Sequence, residues 1–210
     1  MLSGTAHAGS ISGTMWENQS ANVPLFGSLP SAGSANATFT TNGIDFCSQV
    51  NIASSPTCNG ASAPYTINGF LNSNGGSNGV SGLTFHNGAA GGDTLNNTLW
   101  EFTGTAFFTN GETFQVAHDD GLIMYVGGTA AGNIVLNAPG PTPPTLSTFT
   151  YTGATGLQSF TYLYGETHGA PAVFDTTLGV APAVPEPSSI ILLGSGLLAA
   201  AGVVRRRFTK

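Results

Sequence analysis

The sequence predicts an all-β protein, an antiparallel β-sandwich followed by a single hydrophobic helix at the C-terminus. Gly, Ser, Thr and Asn are abundant and charged residues make up only 7% of the 210 positions, a composition typical of turn-rich β-structure. Scattered Gly and Pro separate short apolar segments, so no part of the body keeps a helical period. One longer apolar run, residues 188–204, ends at three arginines.

The N-terminus has a feature of exported proteins. Ala6-His7-Ala8 has the small-x-small form of a signal-peptidase site, but Met1–Thr5 is too short for a basic segment and an apolar core. We interpret residues 1–8 as the remnant of a signal peptide whose true start lies upstream or whose start codon is misassigned. A flexible terminus that happens to contain Ala-x-Ala is the alternative.

Residues 9–177 are long enough for one β-sandwich domain and short for two. In the front half, 9–97, the apolar segments are irregular, and we expect edge strands or a decorated subdomain there. The sequence assigns no role to this half. Its apolar segments are Ile11–Trp16, Ala37–Phe46, Tyr65–Leu71 and Gly82–Phe85.

The back half, 98–177, is more regular. From Leu99 to Ala106, odd positions take one face of a strand, and even positions, with Trp100 and Phe102, take the other. Further strands follow at even spacing with Gly or Pro between them, which indicates an antiparallel sandwich. They are Thr113–Ala117, Leu122–Val126, Ile134–Leu136, Leu146–Tyr151, Leu157–Tyr164 and Ala172–Thr176.

Basic residues are confined to the end of the chain. Its only Lys and Arg are Arg205, Arg206, Arg207 and Lys210, whereas nine of its ten acidic residues precede residue 176. A body without basic side chains is repelled by polyphosphates, which excludes nucleic acid as a partner and favours cations.

Cys47 and Cys58 are the only cysteines. In an exported chain an isolated pair predicts a disulfide, which would close the loop between them and stabilise the fold by about 2 to 3 kcal/mol. A metal pair or a catalytic thiol is the weaker alternative, because no Cys-x-x-Cys spacing exists.

The apolar run and the basic cluster form a stop-transfer pattern, because Arg stays on the cytoplasmic side of a membrane. As a helix, residues 188–204 would measure about 25 Å against a hydrocarbon core of about 30 Å, so they span marginally. We predict a transmembrane sorting helix at 188–204, after a linker at 178–187 and before a basic cytoplasmic tail at 205–210. A permanent single-span anchor has the same pattern.

This end of the chain resembles the PEP-CTERM sorting signal of exported bacterial proteins. The ordered parts of that signal match Pro185-Glu186-Pro187, the apolar run and Arg205-Arg206-Arg207. The resemblance implies recognition by a membrane-embedded exosortase, cleavage near the Pro-Glu-Pro motif, and release to the cell surface or an exopolysaccharide matrix.

The chemically richest point of the body is His118-Asp119-Asp120-Gly121, between two predicted strands. Asp-Gly is a strong tight-turn signal, so a hairpin connection is one interpretation. The other is a Ca²⁺ site, because two adjacent carboxylates with no base nearby repel each other and Ca²⁺ takes oxygen ligands. The residues alone leave the two interpretations even.

Residues 102–176 resemble the protective-antigen-type β-sandwich domain of bacterial toxins, glycosidases and fungal adhesins. The likeness is carried by Phe102-Thr103-Gly104, by His118-Asp119-Asp120-Gly121 and by Tyr164-Gly165-Glu166. The chain has His118 where that pattern has Ser, and Gly127 where it has Asp.

The resemblance also implies a ligand set. In the adhesin members the Asp pair holds a cation that in turn binds vicinal sugar hydroxyls, which points to Asp119 and Asp120 as Ca²⁺ ligands. Asn133 and Asn137, in the connection after Gly128, are weaker candidates for further ligands.

Glu166 and His168 form a second polar cluster. An acid–base pair or a metal site is one hypothesis, and a strand-end Glu that accepts backbone N–H bonds is the favoured one.

Three functions remain. The expected one is an exported surface or matrix protein that binds a glycan, with Ca²⁺ as the cofactor, and no catalytic residue is assigned. The others are a structural matrix component in which Asp119-Asp120-Gly121 is only a turn, and a glycosidase that uses two carboxylates. The carboxylates available to a glycosidase are Glu101, Glu112, Asp119, Asp120 and Glu166.

Overall fold

The computed structural model describes residues 10–20, 22–49, 63–167 and 169–178, apart from the side chains of residues 74–75. Over these residues the chain forms eleven β-strands, two short α-helices and three single-turn 3-10 helices. In chain order the strands and α-helices are β1 (Ile11–Trp16), β2 (Ala37–Thr41), β3 (Asp45–Ser48), α1 (Ile67–Leu71), α2 (Ser73–Gly76), β4 (Ser81–Phe85), β5 (Thr98–Phe108), β6 (Thr113–Asp119), β7 (Gly121–Val126), β8 (Ile134–Ala138), β9 (Thr145–Thr150), β10 (Gly156–Glu166) and β11 (Ala172–Thr176).

The strands form two sheets. One has seven strands in the order β4-β2-β1-β5-β10-β7-β8, and the other has four in the order β3-β11-β6-β9. All pairings between these described strands are antiparallel. The antiparallel β-sandwich predicted from the sequence is therefore confirmed.

The core between the sheets is rich in aromatic rings. Trp100 and Phe102 of β5 face it, as the alternation along that strand predicts. Phe174 of β11 contacts Phe102 from the smaller sheet and stacks on Tyr164 of β10, with ring centroids 5.1 and 5.0 Å apart respectively. Because all four rings are fully buried, the hydrophobic effect and ring packing hold the two sheets together here.

The outer face of the seven-stranded sheet is partly covered. Leu99 and Leu163 are buried there together with apolar side chains of the segment 22–35. In that segment the N–H of Phe26 donates to the hydroxyl of Tyr125 at 3.1 Å. The front half therefore packs on both faces of this sheet.

The expectation that the front half supplies edge strands is wrong for β1 and β2. β1 lies between β2 and β5, and β2 lies between β1 and β4. Of the described front-half strands, β4 and β3 are at sheet edges. The central strand β5 thus has a front-half neighbour on one side, and both halves of the body build one sheet.

A helix, α1, occupies part of the segment Tyr65–Leu71, where the sequence predicts an edge strand. The hydroxyl of Thr66 accepts the N–H of Gly69 at 3.1 Å and caps this helix. Ile67, Phe70 and Leu71, at helical spacing, are fully buried. Gly69 obscures the helical period in the sequence, yet the helix needs it, because a Cβ there would lie 2.1 Å from the carbonyl oxygen of Pro64.

Several predicted features lie outside the described residues: the signal-peptide remnant at 1–8, most of the linker at 178–187, the apolar helix at 188–204 and the tail at 205–210. Among the described helices, none is long and apolar enough to cross a membrane. Cys47 is buried on β3, but Cys58 also lies outside the described residues, so the disulfide stays a prediction.

Candidate functional site

The segment His118–Gly121, which we call the corner, carries the chain from one sheet to the other. β6 lies beside β11 in the four-stranded sheet, and β7 lies beside β10 in the seven-stranded sheet. Asp119 pairs with Val173 and Gly121 with Gly165, so the change of sheet falls at Asp120, after a cis peptide bond. The hairpin interpretation is therefore wrong, because β6 and β7 each pair with a strand distant in sequence rather than with each other.

The corner places a third carboxylate beside the Asp pair. Glu166 is the last residue of β10 and directly follows Gly165, the partner of Gly121. Carboxylate oxygens of Asp119, Asp120 and Glu166 lie within 4.8 Å of one another. The three residues, which we call the carboxylate cluster, are 6%, 5% and 0% exposed.

Two loops hold the carboxylate of Asp120. The N–H and the hydroxyl of Thr167 donate to its Oδ2 at 2.8 and 2.6 Å, and the N–H of Thr142 donates to its Oδ1 at 3.1 Å. These bonds fix the side chain of Asp120 between the loop after β8 and the loop after β10.

Two tyrosines hold Glu166. The hydroxyl of Tyr65 donates to Oε1 at 2.8 Å and that of Tyr164 contacts Oε2 at 3.0 Å. The Tyr164 hydroxyl also contacts the backbone oxygen of Asp119. The sequence favours Glu166 as a strand-end acceptor of backbone N–H groups, but its hydrogen bonds within the described chain are with tyrosine hydroxyls.

Burial changes the protonation of Glu166 and Asp119. It raises the pKa of Glu166 to about 9, where the charges of Asp119 and Asp120 add to the rise and the hydroxyl of Tyr65 opposes it. Burial also raises the pKa of Asp119 to about 7, and the negative charge of Asp120 adds to this rise. In the absence of a cation, Glu166 therefore keeps its proton near neutral pH, and a cation would take the place of such protons.

His118 supports the corner from the buried side. Burial lowers the pKa of its ring, which is 1% exposed. Nδ1 donates to the backbone oxygen of Asp120 at 2.6 Å, since a carbonyl can only accept, and Nε2 accepts from the hydroxyl of Ser147 at 2.8 Å. His118 thus ties the corner to β9.

A pocket of about 340 Å³ borders the Asp pair. Asp119 and Asp120 form part of its lining, and its walls come from residues 141–144 and 169–171. Four wall residues are prolines, which stiffen the backbone around it. The lining residues include no basic and no aromatic side chain.

The structure does not bring the other predicted ligands to this pocket. Asn133 donates to the carbonyl of Gly127 at 3.2 Å, beyond the end of β7 that is far from the corner. Asn137 is exposed on β8 opposite Ile123. Neither residue lines the pocket, and their role as ligands stays a prediction.

The five carboxylates considered for a glycosidase do not all lie at one site. Glu101 pairs with Leu163 on the outer face of the seven-stranded sheet, and Glu112 is exposed at the end of β6 far from Asp119. Asp119, Asp120 and Glu166 come together. His168 lies outside the described residues.

Gly121 allows a close approach of two segments at the corner. A Cβ there would lie 2.4 Å from the backbone oxygen of Pro139. We expect Gly121→Ala to lower the free energy of unfolding by about 1 to 3 kcal/mol, because overpacking strains the backbone. Chemical denaturation measures this, with Gly132→Ala as the matched control, since nothing lies within 4 Å of a Cβ at that position. Equal losses in both variants would contradict the prediction.

Comparison with known families identifies the C-terminal segment. The PEP-CTERM protein-sorting motif matches residues 183–207. The chain carries a PEP-CTERM sorting signal. A signal of this kind implies export to the cell surface, and the prediction made from Pro185-Glu186-Pro187 is confirmed to that extent. The chain matches no curated protein.

Solved structures similar to the body include two PA14 domains. The PA14 domain of MpAFP, an antifreeze protein, is 20% identical with a TM-score of 0.51, and the match covers 87% of this chain and 91% of that one. A PA14 sugar-binding domain from an RTX adhesin is 22% identical with a TM-score of 0.48, covering 80% of this chain and 87% of that one. The first likeness shows that the body has a PA14-like β-sandwich fold.

Proposed function

We propose that this protein is an exported cell-surface or matrix module that binds a neutral glycan through Ca²⁺ at Asp119 and Asp120. The observation that carries the proposal is a pair of adjacent, buried carboxylates on a pocket that has no basic residue in its lining. The sorting signal at residues 183–207 supports a role outside the cell.

The donor atoms of the site suit Ca²⁺. This ion takes about 6 to 8 oxygen ligands, with carboxylates foremost. Asp119 and Asp120 would hold the ion. Glu166, whose carboxylate oxygen lies within 4.8 Å of theirs, would contribute a further oxygen or keep the two Asp side chains in position. The bound ion supplies a positive charge that attracts sugar hydroxyl oxygens.

The charge around the site favours a neutral sugar. The first 204 residues contain no Lys or Arg, so apart from the bound ion a uronate or sulfate group would find no positive partner and would be repelled by the surrounding carboxylates. The pocket, about 340 Å³, lies at the small end of the range for ligand sites. This volume favours the terminal part of a glycan, held between stiff proline walls.

The C-terminal signal supplies the second set of partners. We propose that an exosortase-type membrane protease recognises residues 183–207 and cleaves near Pro185-Glu186-Pro187, while the helix at 188–204 holds the chain in the membrane. Cleavage there removes all four basic side chains. The released module then works as an acidic protein at the surface or in an exopolysaccharide matrix.

Calorimetric titration of the purified chain with Ca²⁺ tests the cation site. We expect Asp119→Asn and Asp120→Asn each to weaken binding by more than about 100-fold, the upper end of what loss of an indirect partner costs at metal sites. Glu112→Gln is the matched control, because that carboxylate is exposed at the far end of β6. If the Asp variants bind Ca²⁺ as well as the parent does, the proposed site is wrong.

Titration with sugars separates the remaining functions. We expect heat from neutral methyl glycosides only when Ca²⁺ is present, and none from glucuronate. A parent chain that binds no Ca²⁺ would favour the structural alternative, which gains support from the three donors that Thr142 and Thr167 already give to Asp120. Hydrolysis of a labelled polysaccharide that is lost on changing one carboxylate would instead identify a glycosidase.

A further inference from the structure

Tyr65 links the front half of the chain to the carboxylate cluster. We infer that Tyr65 is a positioning residue of the candidate cation site, acting through Glu166, and that the front half thereby completes this site. The inference rests on the proposed function, because it gives Tyr65 a part in holding the cation that Asp119 and Asp120 would bind.

The position of Tyr65 is fixed by its neighbours in the front half. It precedes the cap of α1, Thr66, which forms an isolated antiparallel bridge with Thr94. Ile67, next in sequence, is fully buried, and its N–H donates to the carbonyl of Asp93 at 3.0 Å. The Tyr65 ring itself packs against the main core. The backbone on which the hydroxyl depends is therefore anchored by a helix, a bridge and a buried side chain.

The Tyr65 hydroxyl makes two contacts that belong to the site. It donates to Oε1 of Glu166 at 2.8 Å and accepts the N–H of Gly169 at 3.1 Å. Gly169, Ala170 and Pro171 form one wall of the pocket beside Asp119 and Asp120. A single hydroxyl thus joins the third carboxylate to that wall. Asn96 Oδ1, at 3.1 Å, is a second and more distant acceptor.

Glu166 depends on this hydroxyl. A fully buried carboxylate needs a hydrogen-bond partner at each oxygen. Within the part of the chain that the structure describes, the hydroxyl of Tyr164 is the partner of Oε2 and that of Tyr65 is the partner of Oε1. Removal of the Tyr65 hydroxyl leaves Oε1 without this donor, so Glu166 no longer has a fixed orientation toward the Asp pair.

Tyr65→Phe tests the inference, because it keeps the packed ring and removes only the hydroxyl. In calorimetric Ca²⁺ titrations of the full chain we expect Tyr65→Phe and Glu166→Gln each to weaken binding about tenfold, as loss of an indirect partner does at metal sites. In the double variant, Tyr65→Phe should add less than about a twofold change to Glu166→Gln, since residues that act through one another are not additive. Tyr151→Phe is the matched control, because that hydroxyl donates to the backbone oxygen of Ala154, outside the pocket lining.

A purely structural role for Tyr65 would give a different result. The loss of Ca²⁺ affinity caused by Tyr65→Phe would then be just as large in the Glu166→Gln variant as in the parent. Such additivity would overturn the inference. Unchanged Ca²⁺ binding by Glu166→Gln alone would also overturn it, even if Tyr65→Phe failed to fold. If the parent binds Ca²⁺ and Tyr65→Phe binds it equally well, only this inference fails; if the parent binds none, the cation site of the proposed function fails first and the role of Tyr65 fails with it.

Discussion

Replacement of Phe174 by Ala should lower the free energy of unfolding by about 3 to 5 kcal/mol, the usual loss for a fully buried Phe. The ring is 0% exposed and contacts three others across the sandwich. It stacks on Tyr164 and lies 5.1 Å from Phe102 and 5.3 Å from Tyr162, measured between ring centroids. The smaller sheet would lose its main aromatic contact with β10, and a cavity would remain because rings on both sides are already packed against other groups.

Phe107→Ala is the matched control for this loss. Phe107 lies on the outer face of β5 and is 55% exposed, so its truncation should change stability by less than about 1 kcal/mol. Urea denaturation of both variants in the same buffer measures the difference. A domain of this size has a total stability of about 5 to 15 kcal/mol, so a barely folded Phe174→Ala is within expectation. Similar losses for the two variants would show that Phe174 does not hold the sheets together.

The sandwich itself could be predicted because β-strand alternation is local. Trp100 and Phe102 sit two residues apart on β5 and both face the core, as their spacing indicates. The position of a strand within a sheet is not local in this way. The sequence predicts where β1 lies along the chain but not where it lies in the sheet, because tertiary packing determines its neighbours β2 and β5. The sequence does not reveal helix α1 for a local reason. Gly69 weakens the helical pattern, whereas the capping hydroxyl of Thr66 stabilises the helix.

The candidate site was predictable only in part for the same reason. Asp119 and Asp120 are adjacent in sequence, so their mutual repulsion and their affinity for a cation could be inferred directly. Glu166 joins them through the register of β7 and β10, in which Gly121 faces Gly165. Tyr65 joins through a hydroxyl contact that spans 101 residues. To predict the whole site, one would need to know that β7 pairs with β10 rather than with β6. The Asp-Gly turn motif instead favours a hairpin between β6 and β7.

The free energy of unfolding should fall as pH rises from about 4 to about 9 when no cation is present. Folding raises the pKa of Asp119 from 3.8 to about 7 and that of Glu166 from 4.5 to about 9, mainly through burial. Between the ordinary and the raised values, the folded state binds more protons at these two groups than the unfolded state does, so their contribution to stability is complete at low pH and is lost through this window. Each group contributes a slope of about 1.4 kcal/mol per pH unit while it holds the extra proton.

Between about pH 7 and 9 only Glu166 of these groups acts, so the decline there reports on Glu166 alone. Between about pH 5 and 7 Asp119 and Glu166 act together, and His118, whose pKa burial lowers, opposes them. Urea denaturation in EDTA at these three pH values measures both slopes. Glu166→Gln is the control, because an amide does not titrate and should flatten the decline above pH 7 while leaving part of the decline below it. Stability that stays constant or rises between pH 7 and 9 in the parent would mean that Glu166 is not held as a buried acid. Glu166 would then already be ionised without a cation, and it would release no proton when Ca²⁺ binds.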